Sequence, residues 1–276
     1  MTLTPRMTLT PRSLFFVPGS RPDMIAKVSR WQPDVAVIDL EDAVAASEKQ
    51  AARGSAIAAI ASLEAGPSIV LVRINAARSP WHADDLRAVA ESSAQGVVLP
   101  KYQSVEEIPA VRSGLGEGAF VVVGLETVRG VADSRGLLGA DIDAAYFGAE
   151  DYIADIGGRR SPGGTEVLWA RSQVMAAARL AGVGAIDQTV VAVRDDEAFF
   201  TDATAGRAIG YTGKICVHPR QVALAHQVFT PTDREVEHAR AVVAAAGSGV
   251  AVVDGEMVDD VHVRMAETVL RRSTPR

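Results

Sequence analysis

The sequence predicts a closed (β/α)8 barrel, a TIM barrel, with a C-terminal helical and hairpin extension. Short apolar, β-branched runs occur eight times along the 276 residues, and longer segments with helical spacing follow them. Several runs are continuously hydrophobic, as strands buried on both faces of a parallel sheet must be. A barrel of this kind uses about 250 residues, so the length allows one large core.

The predicted strands are the runs at residues 14–18, 35–40, 69–74, 96–100, 120–125, 144–148, 184–189 and 213–217. Helices are expected at residues 22–29, 47–63, 84–94, 104–112 and 168–181. The last helix carries an apolar stripe that predicts core packing. Its members are Leu168, Val174, Met175, Ala178 and Leu180. An open doubly wound sheet is the alternative, but the Gly-rich dinucleotide fingerprint is missing after the first strand.

Two predicted domains divide the chain: a catalytic barrel at residues 12–228 and an extension at residues 229–276. In the extension we expect a helix at 231–246, a Gly-Ser turn at 247–249, a hairpin at 250–258 around Asp254-Gly255, and a helix at 261–271. A barrel does not need this segment, so we expect it to act as a lid or an oligomer arm. Residues 1–11, which begin with a repeat of MTLTPR, are expected to be a flexible leader outside the fold.

Composition excludes several classes of function. The net charge of −6 gives no basic surface for a nucleic acid, and no apolar run approaches the roughly 18 residues that predict a membrane span. Cys216 is the single cysteine, so the chain forms no internal disulfide and no thiolate zinc site. This cysteine usage fits a cytoplasmic protein.

Polar side chains follow seven of the eight predicted strands. In a (β/α)8 barrel the carboxyl ends of the strands meet at one mouth, where reactive residues lie. So many polar ends favour an active site over an ordinary solvated rim. The residues are Asp39, Glu41, Asp42, Arg73, Asn75, Lys101, Glu126, Thr127, Glu150, Asp151, Asp187, Gln188 and His218.

The acidic residues of this mouth suggest a metal ion. Several converging carboxylates repel one another unless a cation lies among them, and ligand sets made only of oxygen favour Mg²⁺. Glu126 and Asp151 are the candidate ligands, although either could instead cap the helix that follows it. Asp39, Glu41 and Asp42 are expected to orient waters or basic residues.

Basic residues in the same mouth indicate an anionic substrate. The guanidinium of Arg73 suits a carboxylate, and Lys101 adds a second positive charge. Lys101 could alternatively form a Schiff base, but neighbouring carboxylates would keep its amine protonated. His218 is either a general base or, with Pro219, the start of a helix.

Seven short motifs occur in an order that resembles the citrate lyase beta-subunit family, with its malyl-CoA lyase and citramalyl-CoA lyase relatives in the HpcH/HpaI aldolase-like superfamily. The likeness covers residues 12 to about 270. The segments are RSLFFVPG (12–19), DLEDAV (39–44), VRIN (72–75), LPK (99–101), ET (126–127), GAED (148–151) and VHP (217–219).

The resemblance implies a trimeric TIM barrel whose Mg²⁺ is held by Glu126 and Asp151. It also implies that Arg73 grips the substrate beside the metal. Glu41 and Asp42 would support the site. The family's coenzyme A lies near the first βα loop, which would place Arg21 and Lys27 near its phosphates.

The segment GEMVD (255–259) looks like the family's C-terminal motif, whose aspartate reaches a neighbouring subunit's site and handles the α-proton of the thioester. Asp259 is the matching candidate. The sequence departs from the family motif in two ways. Val261 stands where the family commonly has proline, and a second aspartate, Asp260, is adjacent to Asp259. Either the loop bends differently or the match slips by one residue.

These inferences predict a Mg²⁺-dependent lyase that cleaves a 3-hydroxyacyl-CoA such as citryl-, malyl- or citramalyl-CoA into acetyl-CoA and a keto acid, or condenses them. One alternative is a pyruvate-releasing class II aldolase that uses no coenzyme A. Others are a subunit of a citrate lyase complex fed by an acyl carrier protein, and a non-catalytic metabolite-binding subunit. The spacing of residues does not determine which thioester is the substrate, since a pocket distinguishes substrates that differ by one methyl group by only about 1 to 3 kcal/mol.

Overall fold

The computed structural model describes residues 9–64, 66–245 and 250–273. Eight parallel strands close into a barrel in sequence order, and the last pairs with the first. This closure confirms the (β/α)8 barrel, and the doubly wound alternative is wrong because an open sheet has two unpaired edges. The strands are β1 Ser13–Pro18, β2 Val35–Asp39, β3 Ile69–Arg73, β4 Gly96–Leu99, β5 Phe120–Leu125, β6 Ala144–Phe147, β7 Gly184–Asp187 and β8 Gly213–Cys216.

Helices surround the barrel: α1 Pro22–Ile25, α2 Val28–Trp31, α3 Lys49–Ala61, α4 His82–Ala90, α5 Glu107–Leu115, α6 Val128–Ala132, α7 Ser134–Leu137, α8 Ala149–Asp155, α9 Thr165–Ala181, α10 Asp196–Ile209 and α11 Pro219–Phe229. A 3₁₀ turn, Ala46–Glu48, precedes α3. The predicted helix at 22–29 is two short helices. Among the described residues no helix combines the length and apolar character that a membrane span needs.

The predicted stripe on α9 is partly wrong, because Leu168 is 52% exposed and Leu180 is 71% exposed. The buried face of α9 instead includes Val167, Val174 and Arg171. Arg171 is a charged residue on a buried stripe, and its ion pairs with acidic partners allow that position.

The apolar interior of the barrel contains one residue from outside the strands. Leu9 is buried and packs with the side chains of β1 to β8. The expectation that residues 1–11 lie outside the fold is therefore wrong at this residue, and residues 1–8 lie outside the described part of the chain. The other members of this core include Leu14, Val37, Leu71, Val98, Val122, Tyr146, Ile186 and Ile215.

A second compact unit starts at residue 227. It contains α12 Asp233–Ala244, the hairpin strands β9 Ala251–Val253 and β10 Glu256–Val258, and α13 Asp260–Ser273. Positive φ angles at Asp254 and Gly255 form the tight turn predicted for that pair. The predicted turn at 247–249 lies outside the described residues.

Candidate active site

The mouth of the barrel is built around an ion pair between two adjacent strands. Asp39 on β2 and Arg73 on β3 are direct partners in the parallel register. Arg73 donates from Nε to Asp39 Oδ1 at 2.7 Å and from Nη2 to Oδ2 at 2.6 Å. Burial alone would lower the pKa of Arg73, but the charge and hydrogen bonds of Asp39 raise it well above its ordinary value. The guanidinium is therefore permanently charged and fixed in orientation.

Lys101 lies among the carboxylates of the mouth. Its Nζ is 2.5 Å from Glu41 Oε1, 3.4 Å from Asp42 Oδ2 and 3.6 Å from Asp151 Oδ1. Burial would lower the pKa of Lys101, but its hydrogen bond to Glu41 and the three negative charges raise the pKa above its ordinary value. The ammonium keeps its proton, so the geometry disfavours the Schiff-base alternative.

Glu126, directly after β5, is a buried carboxylate of the mouth, with 2% of the residue exposed, the same fraction as for Asp39. Its Oε1 accepts a hydrogen bond from the main-chain N of Lys101 at 2.6 Å, and its Oε2 accepts one from Tyr146 Oη at 2.9 Å. Burial raises the pKa of Glu126 to about 7, and the charges of Glu41 and Asp151 contribute to the shift. This carboxylate would be stabilised by a nearby cation.

Asp151 lies in the first turn of α8, and its side chain is half-exposed. Among the described contacts it accepts no main-chain hydrogen bond of α8, and Glu126 accepts none from α6, which Thr127 caps. Neither acid is therefore the N-cap of the helix that follows it, although Asp151 lies in the first turn of α8, where a negative charge is favourable.

The donor set fits a hard divalent cation. The side chains around Lys101 are carboxylates, and buried Glu41 Oε2 accepts no hydrogen bond although Arg73 Nη1 lies 3.2 Å away. Within residues 9–64, 66–245 and 250–273, no three Asp, Glu, His or Cys side chains converge as a ligand group. Two carboxylates completed by water and substrate are the coordination that Mg²⁺ commonly adopts.

Comparison with known proteins identifies the family. Residues 12–219 match the model of the HpcH/HpaI aldolase/citrate lyase family. The chain belongs to this family. It is 47% identical over 273 residues to a citrate lyase subunit beta-like protein of Deinococcus radiodurans, covering 94% of this chain and 96% of that protein. It is 34% identical to citrate lyase subunit beta of Escherichia coli K12, covering 98% of this chain and 96% of that one.

A solved structure is also similar: the protein CitE from Mycobacterium tuberculosis in complex with magnesium, acetoacetate and coenzyme A. It is 32% identical, with a TM-score of 0.82, and the match covers 96% of this chain and 98% of that one. The family predicted from the motifs is confirmed, and so is the enzyme class, a carbon–carbon lyase.

One strand end that we predicted to face the mouth of this lyase does not. Asp187, the last residue of β7, accepts hydrogen bonds from Arg171 Nε at 2.8 Å and from Lys214 Nζ at 2.8 Å. Arg171 belongs to α9 and Lys214 to β8, and both also pair with Asp202 of α10. Asp187 thus points outward, into the layer between the strands and the helices. Charged residues on the buried stripe of α9 and within β8 were the signal for this network.

Two further candidates follow β1, one before α1 and one before α2. Arg21 and Lys27 are exposed and share Asp23, at 2.8 Å from Arg21 Nε and 3.8 Å from Lys27 Nζ. Their contact with coenzyme A stays a prediction.

His218 precedes α11, whose first residue is Pro219, and its Nδ1 accepts from the main-chain N of Arg220 at 3.3 Å. The helix-start interpretation of His218 is confirmed.

In the second unit, Asp259 is held at the start of α13. Its Oδ1 accepts from the main-chain N of Val261 at 2.9 Å and lies 2.7 Å from Nδ1 of His262. The hydrogen bond from His262 lowers the pKa of Asp259. His262 was not singled out from the sequence; its spacing of three residues from Asp259 was the available signal.

Proposed function

We propose that this protein is a Mg²⁺-dependent acyl-CoA lyase that cleaves a 3-hydroxyacyl-CoA, such as citryl-, malyl- or citramalyl-CoA, into acetyl-CoA and a keto acid, or runs the reverse condensation. The observation that carries the proposal is the buried carboxylate of Glu126 beside Asp151 and Glu41, because a divalent cation would stabilise this negative charge. The M. tuberculosis relative, whose fold this chain shares, contains magnesium and coenzyme A.

Glu126 and Asp151 would hold the cation, which supplies Lewis-acid polarisation of the keto acid oxygens, worth several kcal/mol in such sites. Arg73, oriented by Asp39, has Nη hydrogens left to pair with the substrate carboxylate. Lys101 Nζ stays protonated and donates a hydrogen bond beside that carboxylate. Arg73 and Lys101 together hold Glu41 between them, and Lys101 also neighbours Asp42.

Asp259 is the proposed acid/base for the thioester. In cleavage, the hydroxyl proton would pass to water, the hydroxyl oxygen would form the keto C=O as the C–C bond breaks, and the electron pair of that bond would pass into the thioester carbonyl to give the enolate. Asp259 then supplies the proton that turns the enolate into acetyl-CoA. The lowered pKa of Asp259 suits the reverse direction in particular, because there the ionised carboxylate takes that proton.

Arg21 and Lys27 are the proposed contacts of the coenzyme A phosphates. Both side chains are exposed and carry positive charge, Arg21 just before α1 and Lys27 just before α2, so they are available to an arriving polyanion. Binding would require them to exchange Asp23 for phosphate oxygens, a stronger acceptor set.

Residues 229–276 are proposed to act as an oligomer arm or lid of a homotrimer in the cytoplasm, with Asp259 reaching the site of a neighbouring subunit. Val252 and Met257, directly opposite in the hairpin, are 72% and 57% exposed. Val261 and Met265 add exposed apolar surface on α13. An exposed apolar face of this kind is typical of an interaction site. Light scattering tests the trimer, and co-purification tests association with other citrate lyase subunits.

A panel of citryl-, malyl- and citramalyl-CoA with Mg²⁺ tests the activity. We expect acetyl-CoA and the matching keto acid in equal amounts, loss of turnover with EDTA, and near-complete loss in Glu126→Gln. Full activity with EDTA would overturn the metal mechanism. Pyruvate release from substrates without coenzyme A, and no saturable heat with acetyl-CoA, would instead favour the class II aldolase. Cleavage of none of these substrates, free or carrier-linked, would favour a non-catalytic subunit.

A further inference from the structure

The carboxylate of Glu126 is held on both of its oxygens. The main-chain N of Lys101 donates to Oε1 at 2.6 Å, and the hydroxyl of Tyr146 donates to Oε2 at 2.9 Å. Lys101 adopts φ 51°, a left-handed conformation that is uncommon for a residue with a side chain. Both donors come from neighbouring strands or their ends, since Tyr146 lies on β6 and Lys101 follows β4.

Two glycines make room for this arrangement. Gly124 on β5 is the direct register partner of Tyr146, and a β-carbon there would lie 2.3 Å from the tyrosine hydroxyl. Gly148, two residues after Tyr146, would place a β-carbon 2.4 Å from Glu126 Oε2. Neither glycine has a positive φ, so backbone freedom does not explain them. Glycine is needed at both positions because a β-carbon would collide with the hydroxyl of Tyr146 or with the carboxylate of Glu126.

The ring of Tyr146 is itself fixed. It is fully buried in the apolar core of the barrel. It packs edge-to-face with Phe16 at a centroid distance of 6.3 Å, and the guanidinium of Arg73 lies 4.9 Å from the centre of that same Phe16 ring. The hydroxyl therefore has one position from which to donate, directed at Glu126.

We propose that Tyr146 is a positioning residue that fixes the carboxylate of Glu126 in the orientation in which it binds the divalent cation. The inference rests on the proposed function, in which Glu126 is a metal ligand. Residues that hydrogen-bond a metal ligand fix its orientation, and their loss typically weakens metal affinity about 10- to 100-fold. Tyr146→Phe removes only the hydroxyl and keeps the packing of the ring.

The test is a Mn²⁺ titration followed by electron paramagnetic resonance on the full-length protein. We expect Tyr146→Phe to raise the Kd for Mn²⁺ by about tenfold or more. Tyr211→Phe is the matched control, because Tyr211 is equally buried and donates to the carbonyl of Arg171, remote from Glu126 in the network behind β7. Its Kd is expected to match that of the wild type. A wild-type Kd in folded Tyr146→Phe would overturn the proposal.

A second variant covers the case in which Tyr146→Phe fails to fold. Gly124→Ala adds a methyl group in contact with the hydroxyl of Tyr146, so it should displace the donor and weaken Mn²⁺ binding. Gly54→Ala, where a β-carbon meets nothing within 4 Å, is its control. Unchanged Mn²⁺ binding in Gly124→Ala would also overturn the role of Tyr146. Glu126→Gln distinguishes a failure of the Tyr146 proposal from a failure of the proposed metal site. Tight Mn²⁺ binding in Glu126→Gln would refute the metal site itself.

Discussion

Asp39 and Arg73 face each other as direct register partners of two adjacent parallel strands, joined by two hydrogen bonds of 2.7 and 2.6 Å. The sheet register alone therefore brings an acid from β2 to a base on β3. Asp39 also accepts from the main-chain N of Glu41 at 2.8 Å, so the same carboxylate shapes the turn that carries Glu41 into the mouth. Asp39 thus orients both the guanidinium of Arg73 and the turn that carries Glu41.

Asp39→Asn should lower the free energy of unfolding by about 3 to 5 kcal/mol, because it removes the carboxylate that accepts two hydrogen bonds from the buried guanidinium of Arg73 and leaves only Glu41, at 3.2 Å, as a charged partner. Urea unfolding followed by circular dichroism measures this. Asp84→Asn is the control, since Asp84 pairs with Arg87 at the exposed surface, where such pairs contribute about 0 to 1 kcal/mol. Equal unfolding midpoints for the two variants would contradict the structural role of Asp39.

The metal-free protein should lose stability as pH rises from about 4.5 to about 7, because the pKa of Glu126 is raised from 4.5 to about 7. Between those values the unfolded chain has released a proton that the folded chain keeps, so rising pH favours unfolding. The free energy of unfolding should fall by about 3 kcal/mol, because each unit of difference between the pKa values of the folded and unfolded states contributes about 1.4 kcal/mol.

Urea unfolding at several pH values in EDTA, for wild type and Glu126→Gln, isolates this contribution. We expect the difference between the two curves to change across that window and to be constant above it. Mg²⁺ should stabilise the wild type more strongly above pH 7, where its ligand is ionised. Parallel curves for the two proteins would show that Glu126 does not titrate there.

The sequence was sufficient for the fold because the eight strands are continuous apolar runs between clear helical segments. It also located Arg73, Lys101, Glu126 and Asp151, since polar residues directly after strands meet at one mouth. Their contacts confirm that four strand ends meet there. Their roles in binding and catalysis stay predictions.

Other features depend on contacts that periodicity does not show. Tyr146 is one of two aromatic residues in the apolar strand β6, and such a residue usually contributes only to packing. Its role follows from the glycine opposite it, which is visible only once the register is known. Asp187 was assigned to the wrong side because the alternation of side chains in a strand decides which way its last residue points. Leu9 packs into the core although no strand contains it.

Lys214→Met should destabilise the protein by about 3 to 5 kcal/mol with little change in kcat, because it leaves Asp187 buried without its ammonium partner. Lys214 is fully buried, and its Nζ also donates to the carbonyl of Gln188 at 2.8 Å. Thermal unfolding compared with Lys27→Met, an exposed lysine, measures the stability effect. A loss of kcat in protein that is still folded would place this network in the catalytic machinery.

Asp259→Asn should slow exchange of the α-protons of acetyl-CoA with D₂O by about 10² to 10⁴-fold, the usual contribution of a general acid or base. Mn²⁺ affinity should not change, because Asp259 is proposed to move the α-proton and is not a proposed metal ligand. Mass spectrometry of the recovered acetyl-CoA measures the exchange. Asp260→Asn tests whether the family match slips by one residue.

Geometry favours Asp259 over Asp260, since the side chain of Asp259 is held by Val261 and His262, and a fixed carboxylate loses less freedom when it meets the thioester. Asp260→Asn should therefore retain exchange. His262→Gln should give an intermediate rate and move the pH profile upward, because the hydrogen bond that lowers the pKa of Asp259 is weakened. If Asp260→Asn alone stops the exchange, the acid/base role belongs to Asp260, and the bond between Asp259 and His262 serves only to start α13.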